Sequence, residues 1–245
     1  MILAAGFGSR LKPLTEQIPK PLVPVAGVPM LTSAVHRLRA LKPQILVINS
    51  HHLAPQLADF IDENISGLRR LEFIYEPSIL DTGGGIRNAA GFLDGSFFIT
   101  VNADIITDIP LAPLVSRHLR SRALVTMLLH DRPRYNQVEV DSRGSVCGFG
   151  RVNPAAGNRL LAYTGIQVCS PLLLELMARE PSGAFALIPF YQRLLAAGRT
   201  DIKAHVVDTG KSFYWRDLGT FADLAALEND FRKTPDLRRR LGLNL

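Results

Sequence analysis

The chain has 245 residues, of which 47% are hydrophobic, so it can form a globular domain with a sizeable core. Its net charge of +6 at pH 7, from 28 Lys and Arg against 22 Asp and Glu, suits an anionic ligand. No nucleic-acid module accompanies that charge. The longest basic run, Arg238-Arg239-Arg240, is typical of a solvated helix face, so a nucleic-acid partner is not expected.

Membrane and secretory features are missing from the sequence. No apolar run approaches the roughly 20 residues needed to cross a bilayer, and the N-terminus lacks the basic start of a signal peptide. Cys147 and Cys169 are the only cysteines, and their spacing forms neither a disulfide framework nor a zinc motif. We therefore expect no membrane partner and a reducing, cytoplasmic location.

Apolar strands alternate with amphipathic helices over the first 130 residues. The predicted strands are residues 1–4, 45–48, 71–75, 97–101 and 124–129, and the predicted helices are residues 29–41, 55–64, 86–92 and 113–121. Such alternation is typical of an α/β fold with a parallel sheet. The continuous apolar run at 45–48 fits a parallel strand that is covered on both faces.

After about residue 130 the pattern of the predicted elements changes. The predicted elements are a hairpin of 138–141 with 146–149, a strand at 160–168, helices at 172–178 and 189–197, a late pair of strands at 203–207 and 213–215, and a helix that begins at Phe221. No linker, repeat or low-complexity tract separates the two parts. We therefore predict a single domain over residues 1–245, with the second half at the edge of the same sheet.

Glycine-rich or polar segments follow the first four predicted strands. In chain order they are Gly6-Phe7-Gly8, His51-His52, Asp81-Thr82-Gly83-Gly84-Gly85 and Asp104. In parallel sheets, ligands bind beyond the carboxyl ends of the strands. We therefore expect these segments to meet at one edge of the sheet.

The loop after the first strand has the composition of a polyphosphate site. Glycine allows a positive φ and a close approach to the backbone, and the consecutive N–H groups of residues 5–9 can form an anion nest. Arg10 adds a planar donor fork and Lys20 a compact positive charge. The dinucleotide fingerprint would need glycine at Leu11, and the Walker lysine is missing. On spacing alone, an ordinary strand-to-loop turn is therefore also possible.

The longer pattern is more specific. The segments LAAGFGSRL (residues 3–11), PLT (13–15) and PKPLVPVAGVP (19–29) together resemble the signature of sugar-1-phosphate nucleotidyltransferases, also called NDP-sugar pyrophosphorylases. The resemblance implies a Rossmann-like three-layer sandwich with a mostly parallel mixed sheet, of the GT-A-like type. Residues 1–130 would bind the nucleotide and residues 131–245 the sugar. The implied partners are a nucleoside triphosphate and a sugar-1-phosphate, in a monomer or homodimer.

The same resemblance implies roles for four charged residues. Arg10 would hold the β- and γ-phosphates, and Lys20 would bridge the α-phosphate and the sugar phosphate. Asp104 and Asp217 would hold Mg²⁺, the implied cofactor, which needs only one or two carboxylates beside phosphate oxygens and water. From the residues alone, Asp104 could instead be a turn or N-cap residue. Asp217 could instead form a salt bridge with Arg216.

Further contacts are implied on both sides of the nucleotide. Leu3, Ala5, Gly6, Gly8, Ser9 and Arg10 would line one side, and Thr82, Gly83 and Gly84 would face the base. The glycines of that second segment could equally form a flexible turn before a helix. His51 and His52 could bind a metal, but a loop position or a structural hydrogen bond is the preferred interpretation.

Asn136, Gly150, Thr164 and Gly165 are the candidate sugar-binding residues. Many relatives have Glu-Lys-Pro after a phenylalanine, whereas this chain has Phe149-Gly150-Arg151. Short relatives that use UTP and N-acetylmuramate-1-phosphate share this departure and the TGGGI segment, which favours that substrate pair. GTP with mannose-1-phosphate, CTP with a phospho-alcohol, and a catalytically silent nucleotide sensor or scaffold also remain possible.

Overall fold

A computed structural model describes residues 1–150, 152–207 and 213–243 of the chain. The strands are β1 (Ile2–Leu3), β2 (Pro24–Val25), β3 (Val28–Pro29), β4 (Leu46–Ser50), β5 (Leu71–Tyr75), β6 (Phe98–Asn102), β7 (Ile105–Thr107), β8 (Val125–His130), β9 (Val138–Val140), β10 (Val146–Phe149), β11 (Arg159–Cys169), β12 (Ile202–Val206) and β13 (Trp215–Asp217). The α-helices are α1 (Leu14–Gln17), α2 (Met30–Arg39), α3 (Ala54–Asn64), α4 (Asp81–Asn88), α5 (Ala112–Ser121), α6 (Leu172–Met177), α7 (Leu187–Ala196), α8 (Phe221–Lys233) and α9 (Leu237–Arg240). Short 3₁₀ helices cover Ser9–Leu11, Lys20–Leu22, Ala90–Phe92 and Pro133–Tyr135.

The chain divides into two compact units. The first contains Met1–Ile79, Val101–Pro110 and Phe213–Leu245, and the second contains Leu80–Thr100 and Leu111–Ser212. Each unit is therefore built from separate stretches of sequence. The single domain over residues 1–245 stays a prediction.

The first unit contains β1, β4, β5 and the last two residues of β6, Val101 and Asn102, as parallel strands in the order β6-β1-β4-β5. Ile2 lies opposite Val101 of β6 on one side and Ile48 of β4 on the other. The chain runs from β1 to β4 and β5, with α2 and α3 as the connecting helices, and then returns to the other side of β1 as β6. This reversal of direction at β1 leaves a crevice beyond the ends of β1 and β6, where ligands bind in open α/β sheets.

A hydrophobic cluster in the first unit anchors the loop after β1. Its buried members are Leu11, Val23, Val25, Val28, Met30, Ile106, Leu218, Leu227, Phe231, Leu237, Leu241 and Leu243. Leu11 is fully buried in this cluster, at the position where the dinucleotide fingerprint would have glycine. Leu11, the residue that departs from the dinucleotide fingerprint, therefore anchors the loop in the hydrophobic cluster.

The second unit contains the antiparallel strand pairs of the large sheet. β11 pairs antiparallel with β8 and with β9, and β9 and β10 form the predicted hairpin. β12 runs parallel to β8 on its other side. The predicted fold class, α/β with a mostly parallel mixed sheet, is confirmed.

Two details of the predicted elements are wrong. The late strands do not pair with each other, because β12 joins β8 whereas β13 forms a separate antiparallel ribbon with β7. The three glycines do not form a loop before a helix, because Gly83–Gly85 lie inside α4. Arg151, part of the segment that departs from the usual family pattern, lies outside the described residues.

Tertiary contacts explain why glycines occupy α4. The N–H groups of Gly83 and Gly84 both donate to the carbonyl oxygen of Phe185, at 3.0 and 3.2 Å. A methyl group at Gly83 would lie only 2.3 Å from the Phe185 ring. Arg87 holds the same segment by donating to the carbonyls of Glu180, Pro181 and Gly183. Local helix propensity disfavours glycine, but the close contact with Phe185 requires it.

None of the helices in the described part of the chain is both long enough and apolar enough to cross a membrane.

Gly83→Ala should destabilise the protein by about 1–3 kcal/mol, because the added methyl group overpacks the contact with Phe185. At an open helix position the same change would stabilise by up to about 1 kcal/mol. Urea denaturation measures the difference. In a double-mutant cycle with Phe185→Ala, the penalty of the alanine should fall only in part, because the Phe185 carbonyl oxygen, 2.8 Å from the added methyl group, remains in place. An unchanged penalty would contradict this account.

Candidate functional site

The loop after β1 presents unpaired backbone donors. Gly8 has a φ of 64°, and the chain then enters the 3₁₀ turn Ser9–Leu11. Within the described residues, the N–H groups of residues 6–8 bond to no acceptor, and further along the chain Leu11 N–H donates to the Gly8 carbonyl oxygen at 2.8 Å. Gly6 and Ser9 are exposed. The anion nest predicted for residues 5–9 therefore has free donors, as binding an anion requires.

Pairing between β1 and β6 brings Asp104 next to this loop. Leu3 lies opposite Asn102, and the N–H of Ala103 donates to the Leu3 carbonyl oxygen at 3.0 Å. Asp104 follows directly, in the turn that joins β6 to β7. Its Oδ2 accepts a short hydrogen bond from Nζ of Lys20, whose side chain is mostly buried. An ammonium and a carboxylate from distant parts of the sequence thus form an ion pair beside the loop.

The ribbon of β7 and β13 brings Asp217 to the same place. Asp217 lies opposite Ile105, and the N–H of Leu218 donates to the Asp104 carbonyl oxygen at 3.0 Å. Asp217 Oδ1 is buried and has no hydrogen-bond partner among the described residues. Burial and the neighbouring Asp104 carboxylate raise the pKa of Asp217 to about 6, and the Lys20 and Arg10 charges partly oppose that rise.

Arg10 completes the charged group. Its guanidinium lies against the backbone of Gly219, where a methyl group would be only 2.5 Å from Nη2. The predicted alternative for Asp217, a salt bridge with Arg216, is wrong. Arg216 instead pairs with Asp230 at 2.6 Å and donates to the Tyr214 hydroxyl at 2.9 Å. Asp217 is therefore free to bind a ligand.

The two aspartates fit a Mg²⁺ ion. A buried carboxylate oxygen with no partner is costly unless a cation or donor satisfies it, and a second carboxylate lies nearby. Among the described residues, no cluster of three or more His, Cys, Asp or Glu side chains could hold a metal. A metal here would therefore depend on two carboxylates together with phosphate oxygens and water, the ligand set that Mg²⁺ favours.

Asn49 and Glu76 support the loop after β1 through hydrogen bonds, and the sequence analysis predicted a site role for neither residue. Asn49 Oδ1 accepts from the N–H of Ala4 at 2.9 Å, and its Nδ2 donates to Glu76 Oε1 at 2.7 Å. Both side chains are buried. Asn49 lies near the carboxyl end of the apolar strand β4, and Glu76 directly follows β5. These polar residues at strand ends were the sequence signal that could have identified them as supports of the site.

His51 and His52 form structural hydrogen bonds, as the preferred interpretation predicted. Nδ1 of His51 lies 2.8 Å from the Glu76 carbonyl oxygen, and Nε2 of His52 lies 2.7 Å from that of Thr15. A carbonyl oxygen only accepts, so each of these ring nitrogens carries the hydrogen. The Phe7 ring lies 5.1 Å from the His51 ring, edge to face, and 5.8 Å from the His52 ring.

The other predicted nucleotide-binding residues lie in the second unit. Thr82 N–H and Oγ1 bond to the Asp81 carboxylate, while Gly83 and Gly84 bond to Phe185. Their backbone donors are thus already paired. Contact between this segment and a nucleobase stays a prediction.

The predicted sugar-binding residues also belong to the second unit. Asn136 bonds to Asp131 at 2.7 Å, and Gly150 is an exposed residue after β10. Thr164 is fully buried and donates to the Leu128 carbonyl oxygen at 2.8 Å, and Gly165 lies in the irregular part of β11. Their contacts with a sugar remain predictions.

Comparisons with known proteins agree on one family. A family model described as nucleotidyl transferase matches residues 1–234. Mannose-1-phosphate guanylyltransferase of Mycobacterium tuberculosis is 31% identical over 256 residues, which cover 100% of this chain and 68% of that protein. N-acetylmuramate alpha-1-phosphate uridylyltransferase of Neisseria meningitidis is 30% identical over 228 residues, or 91% of this chain and 94% of that protein.

Solved structures share the fold. HddC from Yersinia pseudotuberculosis, complexed with GMP-PN, superimposes with a TM-score of 0.75 at 24% identity and covers 94% of this chain and 97% of its own. A putative glucose-1-phosphate thymidylyltransferase from Bacillus anthracis gives a TM-score of 0.76 at 20% identity, with 94% of both chains covered. At these identities the likeness establishes the fold.

Asp217→Asn should stabilise the metal-free protein at pH 8. The folded-state pKa of Asp217 is raised to about 6, so ionisation costs stability as the pH rises from about 4 to above 6. The variant should gain roughly 1–3 kcal/mol at pH 8 and nothing near pH 4. Urea denaturation in the presence of a chelator measures both values. Asp94→Asn, at an exposed site, serves as the control, and equal stability of Asp217→Asn and the unmodified protein at pH 8 would contradict the prediction.

Proposed function

The chain belongs to the nucleotidyl transferase family, and on that premise we propose that it makes an NDP-sugar and pyrophosphate from a nucleoside triphosphate and a sugar-1-phosphate. One observation carries the proposal. A loop with unpaired N–H groups meets two cations and two carboxylates in the first unit, and one carboxylate oxygen there is buried without a partner among the described residues. This set can hold a polyphosphate and a divalent metal together.

The loop and Arg10 would bind the triphosphate. The free N–H groups of residues 6–8 would donate to anionic oxygens, and Arg10 offers two parallel donors to the β- and γ-phosphates. Because Arg10 lies against Gly219 and close to Asp217, its charge also offsets that of the carboxylate in the free protein. Leu3 and Ala5 would line the base and ribose on this side.

Lys20 would change its partner when substrates bind. In the free protein its ammonium pairs with Asp104. With both phosphates present, the ammonium would turn to the α-phosphate and the sugar phosphate, and Asp104 would be released. Asp104 and Asp217 would then hold Mg²⁺, which when bound neutralises charge on the phosphate oxygens.

The reaction needs no general base from the chain. The phosphate of the sugar-1-phosphate is already anionic at pH 7, so its oxygen can attack the α-phosphorus directly. The new O–P bond forms as the bond to the bridging α,β-oxygen breaks, and pyrophosphate leaves with that electron pair. Lys20 and Arg10 would align the two anions and offset the charge that develops, which are the main contributions in phosphoryl transfer.

For the substrate pair we favour UTP with an amino-sugar-1-phosphate such as N-acetylmuramate-1-phosphate. The chain shares the TGGGI segment of such enzymes, and the relative from Neisseria meningitidis aligns over 94% of its own length. GTP with mannose-1-phosphate is the second candidate, because the relative from Mycobacterium tuberculosis is equally similar. A catalytically silent protein is disfavoured because Arg10, Lys20, Asp104 and Asp217 are all present.

A matrix of four nucleoside triphosphates against several sugar-1-phosphates tests the proposal. Pyrophosphate release is the measurement, and product mass identifies the NDP-sugar. We expect the highest kcat/KM for UTP with N-acetylmuramate-1-phosphate. A higher value for GTP with mannose-1-phosphate would reverse our choice of substrates, and pyrophosphate release from no pair would refute the proposed activity.

Asp104→Asn should lower turnover by about 100-fold or more, because it removes one metal-binding carboxylate and the ion-pair partner of Lys20. A chelator should likewise abolish activity of the unmodified protein, with recovery on added Mg²⁺. Steady-state pyrophosphate release measures both effects. Asp94→Asn, which leaves the site untouched, should retain full activity, and near-normal turnover of Asp104→Asn would rule out its metal role.

A further inference from the structure

Thr15 contacts the turn at Gly8 with both branches of its side chain. Its Oγ1 donates to the Gly8 carbonyl oxygen at 2.9 Å. A methyl group at Gly8 would lie 2.9 Å from Thr15 Cγ2 and 3.0 Å from Lys20 Cβ, so the Gly8 backbone is enclosed by these two side chains. Thr15 itself is almost fully buried. The geometry of the turn and the path of the Lys20 side chain are therefore linked through Thr15.

His52 fixes Thr15 in turn. Thr15 lies in the four-residue helix α1, whose last carbonyl groups have no following helical N–H to bond with. Nε2–H of His52 donates to the Thr15 carbonyl oxygen at 2.7 Å and supplies that missing donor. His52 comes shortly after β4, the strand beside β1. A residue next to the sheet, His52, therefore fixes α1, and Thr15 of α1 fixes the turn at Gly8.

Phe7 provides a second contact from the loop to the same histidines. Its ring lies edge to face on His51 and tilted against His52. His51 is itself fixed by the hydrogen bond from Nδ1 to the Glu76 carbonyl oxygen. His51 and His52 therefore contact Phe7 directly, and His52 also acts on Gly8 through Thr15.

We propose that Thr15 and His52 are positioning residues for nucleotidyl transfer, which set the turn at Gly8 and thereby the place of the Lys20 ammonium. This inference rests on the proposed function, in which that loop and that ammonium contact phosphate. A displacement of about 1 Å in such a group can lower the rate about 100-fold. Neither Thr15 nor His52 needs to touch a substrate.

The hydrogen bonds of Gly8 separate a positioning role from a merely structural one. The Gly8 carbonyl oxygen accepts from Leu11 N–H as well as from Thr15 Oγ1, at 2.8 and 2.9 Å. Loss of the hydroxyl therefore leaves this oxygen with a donor, and the fold loses little. The turn loses one of its two anchors, so its position should change more than the global stability does.

Two variants of one residue test the inference. Thr15→Val keeps the methyl contact and removes the hydroxyl, whereas Thr15→Ser keeps the hydroxyl and removes the methyl group. We expect Thr15→Val to lower kcat about 10- to 100-fold with a smaller change in KM, and Thr15→Ser to stay within about threefold of the unmodified protein. Equal losses in both variants, or full activity of Thr15→Val, would overturn the proposal.

Hydrogen exchange of the loop tests the same contact without any substrate. In Thr15→Val and His52→Ala, the hydrogen-bonded amides of Leu11 and Lys12, which donate to the Gly8 and Ser9 carbonyl oxygens, should exchange about tenfold faster, while the core strand β4 keeps its protection. Gln56→Ala is the matched control, because Gln56 donates to the Gln17 carbonyl oxygen of the same short helix at 3.0 Å rather than to that of Thr15. Equal acceleration in Gln56→Ala would show general loosening of α1 and overturn the proposal.

The two tests also separate this inference from the proposed function. If the unmodified protein releases pyrophosphate from no substrate pair, the activity is refuted, and the exchange data alone decide whether Thr15 and His52 hold the loop. If turnover is normal in Thr15→Val and His52→Ala while the loop exchanges faster in these variants, the activity stands and the positioning role is refuted.

Discussion

The central constraint in this protein is the placement of a buried carboxylate, that of Asp217, next to a second carboxylate, that of Asp104. The Leu218 N–H to Asp104 carbonyl hydrogen bond and the pairing of β7 with β13 hold Asp104 and Asp217 in adjacent positions. Burial and the neighbouring Asp104 carboxylate raise the free energy of ionised Asp217, as its raised pKa shows. Lys20 and Arg10 offset the charge in the free protein. An arrangement that costs stability is typical of a site that is built for a cation and anionic ligands.

The backbone that imposes this constraint is simple. The chain reverses its direction of travel across the sheet at β1, so the loops after β1 and β6 lie side by side. One loop contributes N–H donors and the other a carboxylate. The ribbon of β7 and β13 then adds the second carboxylate, from a distant part of the chain. The site therefore depends on sheet pairing, and its side chains lie at a strand end or on short connections between strands.

The family, the α/β class and most of the individual elements could be predicted from the amino-acid sequence alone. The apolar runs predicted β4, β5 and β11 closely. Every residue of β4 is buried, as expected where burial on both faces demands continuous hydrophobic residues. The glycines of the β1 loop and the charged residues Arg10 and Lys20 indicated a phosphate site, because few backbone and side-chain types can bind polyphosphate. Leu11 shows the limit of motif spacing, since its departure from the general fingerprint reflects a buried anchor.

Only the tertiary structure decided which groups meet. Periodicity identifies a strand but not its partner, so the separate pairing of β12 and β13 could not be predicted from their spacing. Glycine is required in α4 because Phe185, which is distant in sequence, packs closely against this helix. Local helix propensity cannot predict that contact. The ion pair of Lys20 with Asp104, the Asp217 oxygen without a partner among the described residues, and the hydrogen bond of His52 likewise depend on residues that are far apart in sequence. Such contacts depend on chain topology, whereas a sequence pattern reports mainly on local geometry and burial.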